Sequence, residues 1–188
     1  MVSGGKGFVL WFTGLSGAGK TTLTQALVPV LCERGVPIEV LDGDEVRLHL
    51  SKGLGFSRED RDTNILRIGF VANLLARNGV NVISAAISPY RSTRDAVRAM
   101  VEASGATFIE VHAAATLAEC ESRDVKGLYS EARAGRRPGF TGIDDPYEPP
   151  LEPELTLPTG AESLEASLER VVAYLEAEGL LRTLEPAR

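Results

Sequence analysis

The sequence has few of the residues that build disulfide frameworks and zinc sites, and it has no long apolar run. Its 188 residues include two cysteines and two histidines, and neither Cys32 nor Cys120 has a second Cys or a His at metal-ligand spacing. We therefore expect two free thiols and no zinc site. No apolar stretch approaches the ~20 residues that a transmembrane helix needs, and the N-terminal segment lacks the pattern of a secretory signal peptide. We expect a cytoplasmic protein without membrane contact.

Positive charge is also scarce. Lys and Arg number 20 against 26 Asp and Glu, so the formal net charge is -6. A nucleic-acid-binding surface usually shows a basic stripe, and we expect no nucleic-acid partner. Any anionic ligand must be held by a local positive site. The length and the 44% hydrophobic content suit one domain over residues 1–188 with a full core.

What the sequence does contain is an alternation of strand-like and helix-like segments. Strands are predicted over 8–13, 38–41, 80–87, 107–112 and 155–157, and helices over 20–34 and 64–77. A last helix is predicted to begin at Thr159, because Thr159 and Glu162 have the spacing of a capping box. Strands joined by helical crossovers predict an α/β fold, with a mostly parallel five-stranded sheet covered by helices on both faces.

One glycine-rich segment carries a complete phosphate-binding pattern. Residues 14–21, GLSGAGKT, fit G-x-x-x-x-G-K-[ST] and lie between a predicted buried strand and a predicted helix. Backbone N–H groups of such a loop attract phosphate oxygens. Lys20 is expected to reach the β- and γ-phosphates of a nucleoside triphosphate, and the Thr21 hydroxyl to ligate Mg²⁺. The expected nucleotide-binding residues are Gly14, Ser16, Gly17, Ala18, Gly19, Lys20, Thr21 and Thr22.

A pair of carboxylates follows the second predicted strand, in the segment LDGDEVR. Asp42 and Asp44 flank Gly43, where the backbone can turn sharply at the carboxyl end of the strand. Ligands bind at that edge in open α/β sheets. A carboxylate there can help to hold Mg²⁺ or accept the proton of an acceptor hydroxyl, although a plain Asp/Gly turn explains the same residues. No Asn-Lys-x-Asp motif of GTPases is present, which favours a small-molecule kinase.

Two further segments have an open interpretation. LGFSREDRDTNILRIG, residues 54–69, concentrates three arginines in a negatively charged chain. It is either a solvated helix face or the cradle of an anion, and helical spacing places Arg61 beside Asn64. Residues 136–154 lack strong periodicity. A loop of that length is typical of a lid or a binding loop, and a surface loop stiffened by its prolines is the alternative.

Six segments in order resemble the adenylylsulfate kinase (APS kinase) family: GLSGAGKTT, LDGDEVR, LGFSREDRDTN, AISPYR, RDVKGLYSEARAG and GFTGIDDPYEPP. The first occurs in many enzymes, whereas the later segments in combination are specific. The resemblance covers about residues 7–157. It implies a three-layer P-loop kinase fold with a lid over about 124–154. The implied reaction is transfer of the γ-phosphate of ATP to the ribose 3′-hydroxyl of adenosine 5′-phosphosulfate (APS) in sulfate assimilation. The product is 3′-phosphoadenosine 5′-phosphosulfate (PAPS).

The resemblance also implies which residues hold the acceptor. They are Asp44, Arg47, Phe56, Arg61, Asn64, Ile87, Ser88, Lys126, Gly139 and Phe140. Arg47 and Arg61 can meet the phosphosulfate with forked hydrogen bonds. We therefore expect Arg61 and Asn64 to face the nucleotide anion, and we expect Arg58 and Arg67 to lie away from it.

The implied catalytic set is Lys20, Asp42, Asp44 and Ser88. Asp44 is the candidate for the carboxylate near the 3′-hydroxyl, and Asp42 for supporting Mg²⁺. Ser88 matches the serine to which the family assigns a phosphoserine intermediate. An in-line transfer needs no covalent step, and an unactivated serine is a poor nucleophile. We therefore interpret Ser88 as part of a Ser–Pro turn that contacts the acceptor.

The resemblance further implies a homodimer, with ATP sulfurylase as a functional neighbour. Two alternatives stay open: a P-loop kinase of another small acceptor, such as a nucleoside monophosphate or a sugar acid, and a non-catalytic nucleotide-sensing module. Phe56 and Phe140 match the two positions that sandwich adenine, where stacking contributes ~1–3 kcal/mol for each base contact. A sugar acid would leave these rings without a role. The complete phosphate loop, with Asp42 and Asp44, argues against a sensing module.

Overall fold

The computed structural model describes residues 5–182, except for the side chain of Asp44. Its strands are β1 (Phe8–Thr13), β2 (Ile38–Asp42), β3 (Asn81–Ala85), β4 (Thr107–Ala113) and β5 (Leu155–Leu157). They form one parallel sheet in the order β2-β3-β1-β4-β5. The predicted five-stranded sheet is confirmed.

Seven helices join and cover the strands within the described residues. They are α1 (Lys20–Glu33), α2 (Gly43–His49), α3 (Arg58–Ala76), α4 (Arg91–Ala103), α5 (Leu117–Arg123), α6 (Leu128–Arg133) and α7 (Leu164–Ala177). Between residues 5 and 182, no helix combines the length and apolarity needed to cross a bilayer. Both cysteines are free thiols, Cys32 exposed and Cys120 buried.

The central strand β1 is apolar throughout because it contributes to a core on each face of the sheet. Leu10 shares one core with Leu27 of α1 and with α7. Trp11, the next residue, shares the other core with Ile68 of α3 and Val97 of α4. A strand that is buried on both faces cannot alternate between polar and apolar residues. The result is the predicted three-layer arrangement of helix, sheet and helix.

Helix α3 begins earlier than the periodicity suggests. The predicted start near residue 64 is wrong, because the helix begins at Arg58. The Ser57 hydroxyl caps it by accepting a hydrogen bond from the Asp60 backbone N–H at 3.1 Å. Strand β3 is shorter than predicted and ends at Ala85 instead of Ile87. The longer α3 carries Arg61 inside its second turn, on regular helix.

Helix α7 begins later than predicted. The capping box proposed for Thr159 and Glu162 is wrong, because the first residue of α7 is Leu164. Ser163 caps the helix and accepts a hydrogen bond from the Ala166 backbone N–H at 3.2 Å. The Thr159 hydroxyl has a tertiary partner instead, since it donates to the carbonyl oxygen of Ala18 at 2.8 Å.

The 136–154 segment contains no helix and no strand beyond a single bridge between Thr141 and Asp145. It is nevertheless packed. A third apolar cluster joins Leu15 of the glycine-rich loop, Tyr129 of α6 and Phe140 of this segment. The phosphate-binding pattern lies directly after β1, where the sheet order places β3 on one side and β4 on the other. Such a change of direction is where open α/β sheets bind ligands.

Candidate active site

A cavity of about 940 Å³ opens along the carboxyl ends of the strands. One side of it is formed by the glycine-rich loop and the start of α1, residues 14–22, which we call the loop side. The other side, which we call the arginine side, is formed by Arg47, Phe56, Arg61, Asn64, Ile87, Ser88, Gly139 and Phe140. A single cavity therefore spans the phosphate-binding pattern and the predicted acceptor residues.

The loop side is shaped by main chain. Gly14 has a φ of 149°, and a Cβ at this position would lie 2.6 Å from the carbonyl oxygen of Ala113, so no larger residue fits. Gly19 has a φ of 93° and precedes the first residue of α1. The left-handed region is readily open to glycine. The N-terminus of α1 thus faces the cavity, where its backbone N–H groups favour phosphate oxygens.

Lys20 is buried at the base of this loop. Its ammonium group donates hydrogen bonds to the carbonyl oxygens of Gly14 and Leu15, both at 2.8 Å. The side chain lines the cavity while its charge lies within the curve of the loop. A phosphate bound on the loop would meet this charge together with the α1 N-terminus.

Two oxygen ligands suited to Mg²⁺ lie at the mouth of the loop. The Thr21 hydroxyl donates to the Asp42 carboxylate at 3.3 Å, and both residues line the cavity. Mg²⁺ is a hard cation that prefers oxygen ligands and is usually held by one or two protein groups plus substrate phosphates. The donor set therefore fits the ion. The side chain of Asp44, two residues beyond Asp42, lies outside what the structure describes.

Arg123 also borders the loop side, and the sequence analysis missed it. Its guanidinium donates to the carbonyl oxygens of Gly17 at 3.1 Å and of Thr159 at 2.7 Å. It therefore links the glycine-rich loop to the turn that precedes α7. The motif RDVKGLY contains this arginine, but the pattern by itself gives no indication of these partners.

Arg61 is the most extensively bonded residue of the arginine side. It is buried, and its Nε donates to the carbonyl oxygen of Phe56 at 2.8 Å. The two terminal nitrogens donate to the Thr141 hydroxyl and to the Gly139 carbonyl oxygen. An ion pair of 2.9 Å joins Arg61 to Asp145. The guanidinium thus connects α3 to the 136–154 segment.

The remaining predicted acceptor residues differ in exposure. The Arg47 guanidinium lies 4.1 Å from the centroid of the Phe56 ring, which is half exposed. Phe140 is buried and meets the Tyr129 ring edge-on, with the centroids 5.0 Å apart. Asn64 accepts a hydrogen bond from the Ser51 hydroxyl. One aromatic face is thus open to the cavity mouth, and the other is fixed by packing.

Ser88 has an unusual backbone conformation for a residue other than glycine. Its φ is +48°, in the region that costs an L-residue roughly 1–2 kcal/mol. Its side chain is buried, and the hydroxyl oxygen accepts a hydrogen bond from the Trp11 indole N–H at 3.2 Å. The Ser88 carbonyl oxygen accepts another from Arg94 at 2.6 Å. The Trp11 indole and the Arg94 guanidinium, both buried, thus fix the position of Ser88.

The structure brings most of the predicted site residues to this one cavity. Its lining includes Ser16, Gly17, Gly19, Lys20, Thr21, Thr22, Asp42, Arg47, Phe56, Arg61, Asn64, Ile87, Ser88, Lys126, Gly139 and Phe140. Gly14 and Ala18 belong to the glycine-rich loop but do not line the cavity. Arg67 donates to the Leu50 carbonyl oxygen, and Arg58 lies over the Tyr90 ring. Neither of these arginines lines the cavity.

Asp145 is a further residue that the sequence analysis did not single out. Besides its ion pair with Arg61, it accepts a hydrogen bond from the Tyr90 hydroxyl at 2.9 Å. Burial, and then Asp145 itself, raise the pKa of Tyr90, so this phenol stays a donor at neutral pH. Nearby, the backbone N–H groups of Gly139 and Phe140 donate to Asp144 and lower the pKa of its carboxyl.

The fold and this cavity define a P-loop phosphotransferase. A parallel sheet leads from its first strand into a phosphate-binding loop, and a second wall with arginine and aromatic side chains faces the same cavity. The family model described as adenylylsulphate kinase matches residues 6–158. The chain belongs to the adenylylsulphate kinase family.

Individual relatives agree with this assignment. The adenylyl-sulfate kinase of Rippkaea orientalis (strain PCC 8801 / RF-1) is 60% identical over 176 residues, which cover 94% of this chain and 95% of the relative. The structure of the Mycobacterium tuberculosis APS kinase in complex with AMPPNP and APS has a TM-score of 0.88 at 42% identity, covering 92% of this chain and 99% of that chain. The hexameric APS kinase from Thiobacillus denitrificans has a TM-score of 0.73 at 41% identity, covering 95% of this chain and 30% of that chain. The predicted family and fold are confirmed.

Proposed function

We propose that this protein is an adenylyl-sulfate kinase, which transfers the γ-phosphoryl group of ATP to the ribose 3′-hydroxyl of APS and releases PAPS and ADP. The observation that carries the proposal is the single cavity, which joins a complete phosphate loop to the arginine side. The high identity to adenylyl-sulfate kinases over nearly the whole chain supports the choice of acceptor. The related structure with AMPPNP and APS supports ATP as the donor.

The loop side binds the donor. Backbone N–H groups of residues 14–20 and the N-terminus of α1 hold the phosphate oxygens, and Lys20 neutralises charge that develops on the transferred group. Thr21 and Asp42 would hold Mg²⁺, which would offset the negative charge of the phosphate groups. The whole set acts by positioning and by electrostatic stabilisation, which is what phosphoryl transfer requires.

The arginine side binds the acceptor. Arg47, Arg61 and Asn64 hold the phosphosulfate and its nucleotide, while Phe56 and Phe140 take the adenine between them. Ile87, Ser88, Lys126 and Gly139 complete the contacts. Asp44 accepts the proton of the 3′-hydroxyl as the oxygen attacks the γ-phosphorus in line. The lid over about 124–154 excludes water, which would otherwise compete for the phosphoryl group.

Ser88 contacts the acceptor without becoming phosphorylated. Its hydroxyl oxygen is bonded to the Trp11 indole N–H, which is a donor and cannot take the hydroxyl proton. An activated serine needs an adjacent base. Among the described side chains, no base bonds the Ser88 hydroxyl, which supports a direct transfer from ATP to the 3′-hydroxyl.

Assembly and location complete the proposal. The chain forms a homodimer in the cytoplasm, and ATP sulfurylase supplies the APS that it consumes. The relative from Thiobacillus denitrificans is hexameric, which supports self-association in this family. Light scattering of the purified chain checks the dimer, because a dimer has twice the mass of the 20.1 kDa protomer.

The reaction is tested by ADP release from ATP and Mg²⁺ with a panel of acceptors. APS is compared with AMP, gluconate and shikimate at equal concentrations. We expect strong ADP release with APS alone. Release with AMP or gluconate and none with APS would show a kinase of another small acceptor. No release with any acceptor, in protein that binds ATP, would favour a nucleotide-sensing module and overturn the proposal.

A further inference from the structure

Arg94 of α4 connects three parts of the chain without lining the cavity. Its side chain is almost completely buried. Nε donates to the Glu110 carboxylate of β4 at 2.6 Å, and the terminal nitrogens donate to the carbonyl oxygens of Ser88 at 2.6 Å and Glu148 at 2.7 Å. Each guanidinium nitrogen therefore bonds a different segment.

We propose that Arg94 is a positioning residue for the arginine side: it fixes the Ser88 turn to the 136–154 segment and so sets where the acceptor lies relative to the phosphate loop. This inference rests on the proposed function. It assigns Arg94 no contact with substrate. The guanidinium acts through Ser88, which lines the cavity. It also acts through Glu148, which belongs to the same segment as Gly139 and Phe140.

Further hydrogen bonds connect the same two elements. The Glu148 backbone N–H donates to the Pro89 carbonyl oxygen at 2.8 Å. The Glu148 carboxylate accepts from the Arg91 backbone N–H at 2.9 Å. Arg94 thus lies at the centre of a junction between the Ser88–Arg91 turn and Glu148. These two bonds join Glu148 to the turn that contains Ser88, so they connect the same two elements as Arg94 does.

The junction also reaches the start of the phosphate loop. The Tyr147 and Thr13 hydroxyls are hydrogen bonded at 3.1 Å, and the Thr13 hydroxyl donates to the Ile87 carbonyl oxygen at 2.7 Å. Burial raises the pKa of Tyr147 to about 12, so the phenol stays protonated. Thr13 is the last residue of β1 and directly precedes Gly14. A displacement of the Arg94 junction would therefore change the position of the arginine side relative to the loop side.

The charge of Arg94 is balanced inside the protein. Burial raises the pKa of the Glu110 carboxyl, and Arg94 and Arg98 oppose this shift. Replacing a buried ion pair by neutral side chains of similar volume is often neutral for stability, whereas removing one partner is strongly destabilising. Replacing both partners by neutral side chains therefore avoids leaving one charge buried without its counter-ion. A double substitution separates a positioning role from a structural one.

Arg98, one turn further along α4, provides a matched control. It forms ion pairs with Glu154 at 2.6 Å and with Glu110 at 3.7 Å. It bonds neither Ser88 nor Glu148. Arg98 thus shares the helix, the charge and one carboxylate partner of Arg94, but it lacks the contacts on which the proposal depends.

The experiment compares the double variant Arg94→Met/Glu110→Gln with Arg98→Met. Urea unfolding establishes that both are folded. Steady-state kinetics then give kcat and KM for APS and for ATP. We expect kcat/KM for APS to fall about 100-fold in the double variant, since a small misplacement far from the chemistry costs on that order, while KM for ATP changes little. Arg98→Met should leave the APS parameters near those of the unsubstituted protein.

Two readouts work without catalysis. Trp11 is the single tryptophan of the chain, and its indole bonds Ser88. We expect its emission maximum to shift in the double variant and to stay in place in Arg98→Met. Hydrogen exchange of residues 139–148 should be faster in the double variant alone. These signals test the junction even if the unsubstituted protein shows no activity with APS. Such a lack of activity would contradict the proposed function, but it would leave the proposed junction untouched.

Three results would overturn the inference. The first is unchanged Trp11 emission and unchanged exchange of residues 139–148 in a folded double variant. The second is an equal loss of APS turnover in the double variant and in Arg98→Met. The third is an equal loss of APS and ATP parameters, which would show a general structural effect.

Discussion

The loop side of the cavity is one continuous piece of chain, whereas the arginine side is assembled from segments that are distant in sequence. Residues 14–22 are shaped by glycines and by the bonds of Lys20 to its own loop. The arginine side depends on the bonds of Arg61 and Arg94 to partners 80 and 54 positions away. The loop side takes most of its shape from its own residues, and Arg123 and Thr159 add long-range hydrogen bonds to it. The arginine side forms only once the distant segments have come together in the tertiary fold.

The two sides of the cavity suit different substrates. On the loop side, backbone N–H groups and one ammonium line the cavity, an arrangement that suits the triphosphates of many nucleotide-dependent enzymes. On the arginine side, where we propose that the acceptor binds, side chains and two aromatic rings would select a particular anion and base. Substitutions on the loop side should therefore affect catalysis with any acceptor, and substitutions on the arginine side should affect APS selectively.

The largest effect is expected on the loop side, from Lys20→Ala. Loss of an electrostatic group that stabilises the transferred phosphoryl should lower kcat about 10²–10³-fold. The measurement is ADP formation at saturating ATP and APS. Lys6→Ala is the matched control, because the Lys6 ammonium is exposed and bonds the Arg77 carbonyl oxygen. A comparable loss in both variants would contradict the role of Lys20.

On the arginine side, Arg61→Ala should weaken APS binding about 100-fold, since truncating one member of a buried charged pair costs several kcal/mol. Binding of a non-hydrolysable ATP analogue should stay nearly unchanged. Calorimetric titration of each ligand gives both affinities. Arg67→Ala serves as the control, because Arg67 bonds Leu50 away from the cavity. Equal losses for both ligands would show that Arg61 does not belong to the acceptor site.

A smaller effect is expected from Phe56→Ala. Loss of one base–aromatic stack of ~1–3 kcal/mol should weaken APS binding about tenfold. Phe70→Ala is a close control, since Phe70 is exposed to a similar degree on α3 but lies outside the cavity lining. The two variants are compared by APS titration. An identical response would mean that the Phe56 ring does not contact the adenine.

The smallest effect concerns pH and stability. His112 stacks against Tyr147 of the 136–154 segment with the centroids 6.0 Å apart, and burial, followed by Arg94, lowers its pKa. Below about pH 6.5 the unfolded chain takes up this proton while the folded chain resists it. The free energy of unfolding should therefore fall with pH from about 6.5 downward, by at most about 1.4 kcal/mol per pH unit for one proton.

His112→Gln should remove the part of the pH dependence of the unfolding free energy that His112 causes. Urea unfolding at several pH values between 7.5 and 5 measures it. Above pH 7 both proteins should show a constant difference in unfolding free energy, because His112 is neutral in the folded and unfolded chain. If the variant shows the same dependence of unfolding free energy on pH as the unsubstituted protein, partial burial of His112 does not lower its pKa.

The contrast between the two sides also explains what sequence reasoning could predict. The phosphate loop was predictable because one short pattern after a buried strand determines its shape. The α3 start was missed, although Ser57 and Asp60 have a capping spacing. The α7 start was misplaced because Thr159 has the right spacing for a cap but bonds Ala18 across the fold. A tertiary partner of this kind leaves no local signal.

On the arginine side, the resemblance identified residues but not their contacts. Arg61 and Phe140 matched family positions, while the ion pair of Arg61 with Asp145 depends on how α3 meets the 136–154 segment. Glu110 did leave a signal, since it is a carboxylate in the middle of an apolar strand and so requires a buried partner. Its partner, Arg94, cannot be chosen from sequence among the arginines of α4.

We propose a direct transfer between the two sides of one cavity. A single-turnover reaction with γ-labelled ATP and APS tests it by following label in nucleotide and in protein at the same time. We predict that label passes from ATP to the 3′-position of the product nucleotide while the protein stays unlabelled, in the unsubstituted chain and in Ser88→Ala. Label on Ser88 that appears before product would contradict direct transfer. The absence of any labelled product, in protein that binds both ligands, would contradict the proposed kinase reaction.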